Sequence, residues 1–256
     1  MKIFAVSDIH GYFDEFKKAL DDAGFDENNP KHYIVVCGDV FDRGPQPVEV
    51  MRYLNLHDRV ILVRGNHEDL LEECCDRGYA LSHDYSNGTF DTICAFGDAS
   101  GGRTFDECCA RTIARTNIFL SKMVNFFETK NYIFVHGWIP LKPNDCFPMY
   151  YSKNRSFEFD PDWRNANDVE WEAARWINGI KAALNGFIEP NKIIICGHWH
   201  CSFGHHLKSL STDHWISEFE EDACFEPFYD NGIIAIDACT AHSGKVNVIV
   251  LEDDFI

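Results

Sequence analysis

The sequence predicts an α/β fold whose sheet is at least partly parallel. Three times in the first 75 residues, a short apolar run ends in a polar loop, and each loop leads into a segment with helical spacing. The loops carry carboxylate, imidazole and guanidinium side chains. Because parallel strands present their carboxyl ends at one edge of a sheet, we expect these side chains to meet there.

Each of the three units joins one expected strand to one expected helix. In the first helix, Phe13, Phe16 and Leu20 recur on one face, as an amphipathic helix requires. A glycine and an Asn-Asn-Pro turn then close that unit. The expected strands are Lys2–Val6, Tyr33–Cys37 and Arg59–Val63, and the expected helices are Tyr12–Ala23, Gln46–Leu56 and Asp69–Cys75.

The region from 77 to about 130 interrupts this alternation, and we predict that it is a largely helical cap inserted into the sheet framework. It opens with a loose stretch, Ser82–Gly102, rich in the loop-forming residues Gly, Ser, Asp and Asn. Helical patterns follow at Phe105–Arg115 and Ile118–Phe127. The cap is therefore expected to begin irregularly and to end in two helices.

The rest of the chain returns to strands, and residues 1–256 are expected to form one domain. Long loops are expected at about 139–168, a segment rich in Pro, Asp and aromatic residues, and at about 201–231. The last two strands are predicted to form an antiparallel pair. The expected elements are strand Asn131–Val135, helix Val169–Leu184, strand Lys192–Cys196, and closing strands Gly232–Asp237 and Lys245–Leu251 around a turn at Cys239–Gly244.

Composition limits the function classes. The formal net charge of −18 over 256 residues disfavours nucleic-acid binding, because an acidic surface repels phosphate backbones. No apolar run approaches the ~18–20 residues of a membrane span. The N-terminal segment resembles a strand rather than a signal peptide, so a cytoplasmic location is expected. The 11 cysteines, an odd number without a C-x-x-C pair, are predicted to be reduced and mostly apolar in role.

Side chains able to bind metal follow almost every expected strand. Carboxylate, imidazole and amide oxygen are suitable ligands for Mn, Fe or Zn. There are too many of them for one ion and about the right number for two ions that share a carboxylate. The candidates are Asp8, His10, Asp39, Asp42, Asn66, His67, His136, His198 and His200, and Arg43 lies among them as a candidate for binding an anion.

Five short motifs occur in a fixed order, each after a strand. They are Asp-x-His-Gly from Asp8, Gly-Asp-x-x-Asp-Arg-Gly from Gly38, Gly-Asn-His-Glu from Gly65, His-Gly at His136 and Gly-His at Gly197. This series resembles the phosphoprotein phosphatase branch of the calcineurin-like metallophosphoesterases. The resemblance implies that family's fold, in which central mixed sheets are flanked by helices, and a dinuclear metal centre.

The resemblance also implies a role for each matched residue. Asp39 would bridge two divalent ions, with Asp8 and His10 on the first ion and Asn66, His136 and His198 on the second. Water held between the ions would attack phosphorus in line. His67 would protonate the leaving oxygen while Asp42 orients its imidazole, and Arg43 would bind phosphate oxygens.

Two further assignments rest on weaker matches. The family usually supplies a second phosphate-binding arginine between its last two metal histidines, and Arg175 is preferred here over Arg155 and Arg164. His200 is a possible additional ligand, since more distant phosphodiesterase branches use the second histidine of a Gly-His-x-His pair. The alternative for Arg175 is a solvated arginine on a helix, and for His200 a loop histidine.

The resemblance predicts a dimetal phosphoesterase that hydrolyses phosphate monoesters, with a serine/threonine protein phosphatase as the first choice. The alternatives are a symmetrical diadenosine-tetraphosphate hydrolase, a phosphodiesterase and a non-catalytic phosphate-binding scaffold. Manganese is the expected metal, with iron or zinc as alternatives. The expected partner is a phosphorylated protein or a small phosphoester, with neither nucleic acid nor membrane.

Overall fold

Two mixed β-sheets and the helices on their outer faces make up the fold, as the sequence predicts. The computed structural model describes residues 1–143 and 157–255. The strands are β1 Lys2–Val6, β2 His32–Cys37, β3 Val60–Val63, β4 Phe127–Glu128, β5 Tyr132–Phe134, β6 Leu141–Pro143, β7 Phe157–Phe159, β8 Ile193–Cys196, β9 Phe228–Asp230, β10 Ile233–Ala235 and β11 Val248–Glu252.

The helices lie mostly between the strands and after them in the chain. None of the helices in the described ranges is both long and apolar enough to cross a membrane. The helices are α1 Phe13–Asp22, α2 Pro47–Leu56, α3 Asn66–Arg77, α4 Ser82–Asn87, α5 Thr89–Gly97, α6 Phe105–Leu120, α7 Asp168–Ala174, α8 Gly179–Leu184, α9 Cys201–Ser209 and α10 Thr240–Ser243.

The first sheet has strand order β11-β1-β2-β3, and the second has β4-β5-β8-β10-β9. In the first sheet, β1 pairs in parallel with β2 and β2 with β3, whereas β11 joins the edge antiparallel. In the second sheet, β5, β8 and β10 are parallel neighbours, with antiparallel strands outside them. The parallel centres of both sheets therefore end at loops of the kind expected to carry the site.

The core explains why the strands are continuously apolar. In β1, Ile3 and Ala5 belong to the cluster between the two sheets, whereas Phe4 and Val6 belong to the cluster beneath the helices. Successive strand residues point to opposite faces, so a strand covered on both faces must be apolar throughout. Burying each such side chain contributes about 1.5–3 kcal/mol.

The cap is more helical than the sequence indicates. The predicted loose stretch Ser82–Gly102 forms α4, α5 and a short 3₁₀ turn, because Gly88, with φ of +83°, ends one helix and begins the next. The two predicted helices at 105–127 are instead one, α6. The Thr116 hydroxyl donates to the carbonyl of Thr112 at 2.9 Å, so this polar residue continues the helix rather than ending it.

The segments 139–168 and 201–231 contain regular structure where loops were expected. The first includes the β6–β7 pair and a 3₁₀ turn at Trp163–Asn165, while residues 144–156 lie outside the described part. The second includes α9, whose N-terminus is capped by the ring of His200, which accepts from the backbone N–H of Phe203 at 3.3 Å. The helix propensities of its residues did not predict α9, because tertiary packing can override propensity.

Two further expectations on chain order are wrong. The predicted helix Val169–Leu184 is two helices, α7 and α8, because the Asn178 side chain caps a new start by accepting from the backbone of Lys181 at 2.9 Å. The closing strands do not pair with each other. Strand β10 joins the second sheet and β11 the first, since α10 and the left-handed Cys239 carry the chain across between them.

Candidate metal centre

Five loops meet where the parallel strands of both sheets end. The loops after β1 and β2, the N-terminus of α3, and the loops after β5 and β8 each contribute at least one predicted ligand. The predicted ligands Asp8, His10, Asp39, Asn66 and His136 are nearly fully buried. His198 is partly buried and lies at the edge of this cluster.

Asp39 lies at the centre of the cluster. Its Oδ2 is 3.7 Å from His10 Nε2 and 3.9 Å from His67 Nε2, and its Oδ1 is 3.3 Å from His136 Nε2. Among the residues that the structure describes, two sets of donor atoms lie close enough to hold an ion, and both include Asp39. They are His10, Asp39 and His67, and Asp39, His136 and His198.

The remaining two predicted ligands border these sets. Asp8 Oδ1 lies 3.8 Å from His10 Nε2, a member of the first set. Asn66 Oδ1 lies 2.8 Å from His136 Nε2, beside the second set. The structure therefore brings together all six predicted ligands. It also places His67, expected to be the acid, within the first set.

Hydrogen bonds from two ring nitrogens orient the imidazoles toward the cluster. His10 Nδ1 donates to the carbonyl of Phe41 at 2.9 Å, and His136 Nδ1 donates to the carbonyl of Cys37 at 2.8 Å. A carbonyl only accepts, so the proton is fixed on Nδ1 and Nε2 is turned to the carboxylates. Metal-binding histidines are usually oriented in this way.

The electrostatics of the donor set favour a cation. Burial, with the charge of Asp39, raises the pKa of Asp8 to about 6. Burial opposes the charging of His136, yet the carboxylates of Asp39 and Asp8 raise its pKa to about 10. The same carboxylates would stabilise a divalent ion, so the residues present suit the metals that the resemblance implies.

Several residues of the site have a left-handed backbone, which costs a non-glycine residue of order 1–3 kcal/mol. Such residues persist only where surrounding contacts determine the conformation. Here they turn successive side chains into the same small volume. The residues and φ angles are Asp8 at 50°, His10 at 50°, Asp39 at 52°, Asp42 at 72°, Arg43 at 63° and His198 at 64°.

Glu68, the last residue of the Gly-Asn-His-Glu motif, fixes these loops. It is fully buried, and its carboxylate accepts from the backbone N–H groups of Gly65 at 2.8 Å, Asp39 at 3.1 Å and Val40 at 2.9 Å. It thereby ties the start of α3 to the loop after β2. The Glu that follows Asn-His in the sequence was the signal for this role.

The pairing of His67 with Asp42 matches the expected acid and its partner. His67 Nδ1 lies 2.8 Å from Asp42 Oδ2, and the Thr89 hydroxyl donates to the same oxygen at 2.6 Å. Burial lowers the pKa of His67, but Asp39 and Asp42 more than offset it, and the net shift is upward. Thr89 comes from the cap, and sequence reasoning did not identify it.

Arg43 reaches the same cluster with an otherwise exposed side chain. Its Nη1 donates to His10 Nε2 at 2.9 Å, and its Nη2 donates to His67 Nε2 at 3.2 Å. The guanidinium is therefore next to both the first donor set and the expected acid. This position is within reach of a phosphoryl group bound at the centre.

Arg175 is held by α3 and by the segment before β4. Its Nε and Nη2 donate to Asp69 at 2.7 and 3.2 Å, and its Nη1 donates to Asn125 at 2.9 Å. It lines a cleft of about 710 Å³ together with Arg64, Arg164 and others. These contacts do not join Arg175 to the metal ligands, and its phosphate-binding role stays a prediction. Arg155 lies outside the described residues.

His200 has contacts of a different kind. Its Nδ1 accepts from the N–H of Phe203 and lies 3.0 Å from Ser202 Oγ, while its Nε2 lies 3.2 Å from Glu218. Burial, and secondarily His242, lowers its pKa to about 4. Among the described residues, neither donor set includes His200. The structure therefore gives it a helix-capping contact, and its role as a ligand stays a prediction without support from the geometry.

Known proteins resemble this chain in sequence over its first part and in fold over nearly all of it. The family described as calcineurin-like phosphoesterase matches residues 1–202. The symmetrical bis(5'-nucleosyl)-tetraphosphatase of Buchnera aphidicola subsp. Acyrthosiphon pisum (strain Tuc7) is 44% identical over 69 residues, 27% of this chain and 24% of that protein. The enzyme of the same name from Nitrosospira multiformis is 42% identical over the same shares.

The chain thus spans about a quarter of the length of the curated relatives it matches. Among solved structures, a protein described provisionally as a diadenosine tetraphosphatase has a TM-score of 0.51 at 15% identity, covering 98% of this chain and 89% of that chain. A cold-active protein tyrosine phosphatase has a TM-score of 0.51 at 17% identity, covering 98% and 73%. At these identities the two structures support the fold alone.

Proposed function

The chain belongs to the calcineurin-like phosphoesterase family, and from this premise we propose that it is a dimetal hydrolase that cleaves symmetrical dinucleoside tetraphosphates. Two claims are made, one on the reaction, which is transfer of a phosphoryl group to water, and one on the substrate. Different observations support them. The chemistry rests on the Asp39 cluster, and the substrate on the names of the relatives.

The proposed hydrolysis is supported above all by the position of the Asp39 carboxylate. Its two oxygens lie 3.3–3.9 Å from three imidazole nitrogens. One carboxylate shared by two donor sets is what a pair of ions requires. Two divalent ions would supply activation of water and neutralisation of phosphoryl charge. Asp8 and His10 would hold one ion, and Asn66, His136 and His198 the other. Manganese is the metal we propose, with iron or zinc as alternatives.

The chain's own residues supply the rest of the chemistry. Arg43 would donate two N–H groups to oxygens of the phosphoryl group, which its planar fork suits. With a proton on Nε2 as well as on Nδ1, His67 would donate the Nε2 proton to the leaving oxygen, and Asp42 would stabilise the charged ring before transfer. Arg43 would then turn from Nε2 to the phosphoryl oxygens. An acid placed in this way contributes typically 10²–10⁴-fold in rate.

The relatives favour a dinucleotide substrate over the phosphoprotein that the sequence alone put first. Both curated relatives cited above are named symmetrical bis(5'-nucleosyl)-tetraphosphatase, and each matches 69 residues of this chain. A serine/threonine protein phosphatase is the second candidate, since the same motifs serve phosphate monoesters. The phosphodiesterase alternative depended on His200, whose contacts are with Ser202, Phe203 and Glu218. The cytoplasmic location stays a prediction.

A substrate panel tests the proposal. The protein, supplied in turn with Mn, Fe(II) or Zn, would be assayed on diadenosine tetraphosphate, a phosphothreonine peptide and bis-p-nitrophenyl phosphate. We expect the dinucleotide to be cleaved most efficiently, with ADP as the product of symmetrical cleavage. Cleavage of the peptide alone would favour the second candidate, and the Asp39→Asn variant controls for contaminating hydrolases.

A further inference from the structure

Trp176 is a partly exposed indole at the edge of the metal centre. About 36% of its surface is accessible, whereas Trp138, Trp163 and Trp171 are buried. Its ring meets the imidazole of His198 edge-on, with centroids 5.8 Å apart and planes at 85°. The indole therefore contacts a predicted ligand and keeps further surface open to solvent.

The backbone holds this indole in place. Trp176 lies two residues after the end of α7, and its N–H donates to the carbonyl of Ala173 at 3.1 Å. The carbonyl of Ala174 accepts from the N–H of Trp138, in the loop that carries His136, at 3.0 Å. The segment bearing Trp176 is thus fixed to the metal-binding loop after β5. A rigid aromatic surface loses little entropy when a ligand stacks on it.

Trp176 is also next in the chain to a residue that lines a cleft. It immediately follows Arg175, which lines the 710 Å³ cleft. One side of the indole is thus toward the His198 imidazole, and the preceding residue faces a cleft with arginines in its wall. A ligand that combines phosphate with a planar ring suits this pair of neighbouring residues, an arginine and an exposed indole.

We propose that Trp176 is a specificity-determining residue that stacks a nucleobase of the substrate beside His198. The inference rests on the proposed function, because it names the part of the dinucleotide that this surface recognises. Stacking is independent of base identity, since every base presents a π-face. The subsite would therefore accept dinucleotides with different bases and would favour nucleotides over phosphate esters without a ring.

The test compares two substrates across three variants. For each protein, kcat/KM is measured on diadenosine tetraphosphate and on glycerol 2-phosphate, which has no ring. Trp176→Ala should lower the ratio of the two values about tenfold, the loss expected for one base–aromatic stack. Trp176→Phe should retain most of the ratio, and Trp215→Ala, at an exposed tryptophan that packs on His206, should leave it unchanged.

Two results would overturn the inference. One is a kcat/KM of Trp176→Ala that equals the wild-type value on both substrates. The other is an equal loss on both substrates, which would mean that the indole only supports His198; metal content, measured in parallel, would then fall as well. If the wild type hydrolyses neither substrate, the proposed function fails separately. The inference is then decided by titrating the protein with ADP and following tryptophan fluorescence, where equal affinity in wild type and Trp176→Ala would contradict it.

Discussion

His67 Nδ1 lies 2.8 Å from Asp42 Oδ2, and both side chains are buried. The two residues are 25 positions apart in the chain and come from the loop after β2 and the start of α3. The hydroxyl of Thr89 donates to the same carboxylate oxygen at 2.6 Å, so the cap helps to fix the pair. This geometry assigns the proton of the ring to Nδ1 and leaves Nε2 facing Arg43 and the Asp39 cluster.

The role of His67 as an acid predicts a dependence on the leaving group. His67→Gln should reduce kcat about 10²–10⁴-fold on an alkyl phosphate, whose leaving oxygen needs a proton. On p-nitrophenyl phosphate, whose leaving group departs as a stable anion, the reduction should be much smaller. Steady-state kinetics on the two substrates measures the difference.

Asp42→Asn should show the same pattern in weaker form, because the ring remains but loses its charged partner. An equal reduction by His67→Gln on both substrates would assign His67 to metal binding instead, as its place in the first donor set allows.

Glu68 predicts a link between loop structure and stability. Glu68→Gln keeps the shape but cannot accept from three backbone N–H groups as a carboxylate does. We expect the free energy of unfolding to fall by about 1–3 kcal/mol, measured by urea denaturation. Glu49→Gln, at an exposed helical position, is the matched control and should change little. Wild-type stability in Glu68→Gln would show that these bonds contribute little.

Asp69 and Arg175 predict a non-additive pair. If Arg175 binds substrate phosphate and Asp69 orients it, Asp69→Asn and Arg175→Lys should each lower kcat/KM, chiefly by raising KM. The double variant should be little worse than Arg175→Lys alone, because the two act through one guanidinium. A kcat/KM of Arg175→Lys equal to wild type on every substrate would make the arginine purely structural.

The sequence was sufficient to predict the framework and the meeting of the candidate ligands at one place in it, for a physical reason. Apolar runs covered on both faces identify strands such as β1 and β2, and parallel strands bring their terminal loops together. The identities of Asp39 and His136 then limit the chemistry. Predicting the strands and the place where their loops meet requires only the spacing of apolar residues and the order of the elements. Both can be read from short stretches of the chain.

What could not be predicted depends on contacts between distant segments. Thr89 touches Asp42 across 47 positions, and Arg175 touches Asp69 across 106. The closing strands looked like a hairpin because they are neighbours in sequence, yet β11 finds its partner at β1. The start of helix α9 was not predicted because its N-cap is His200. Histidine is a common metal ligand but not one of the usual N-cap residues.

Asp253 predicts a loss of stability in acid. Its carboxylate accepts from Thr129 Oγ at 2.7 Å and from the backbone N–H and side-chain Nδ2 of Asn131 at 2.8 and 2.7 Å. Burial raises its pKa, but these hydrogen bonds outweigh burial, and the net pKa is below the ordinary 3.8. Since the folded pKa is the lower one, the stabilisation is present above about pH 4 and is lost as the pH falls further.

Asp253→Asn should therefore be less stable than wild type at neutral pH by about 1–3 kcal/mol and should depend less on pH in the acid range. Chemical denaturation at several pH values measures both effects. Asp254→Asn, whose side chain is 86% exposed, is the control. Parallel pH profiles for wild type and Asp253→Asn would contradict the assignment.

The central claim is that one carboxylate, that of Asp39, organises a site for two divalent ions. Equilibrium dialysis of the protein against Mn²⁺, followed by metal analysis, tests it most directly. We predict two ions per chain in wild type and a loss of tight binding of both in Asp39→Asn, whereas His136→Ala should retain the ion held by Asp8 and His10. One ion or none in the wild type, or two retained in Asp39→Asn, would contradict the account.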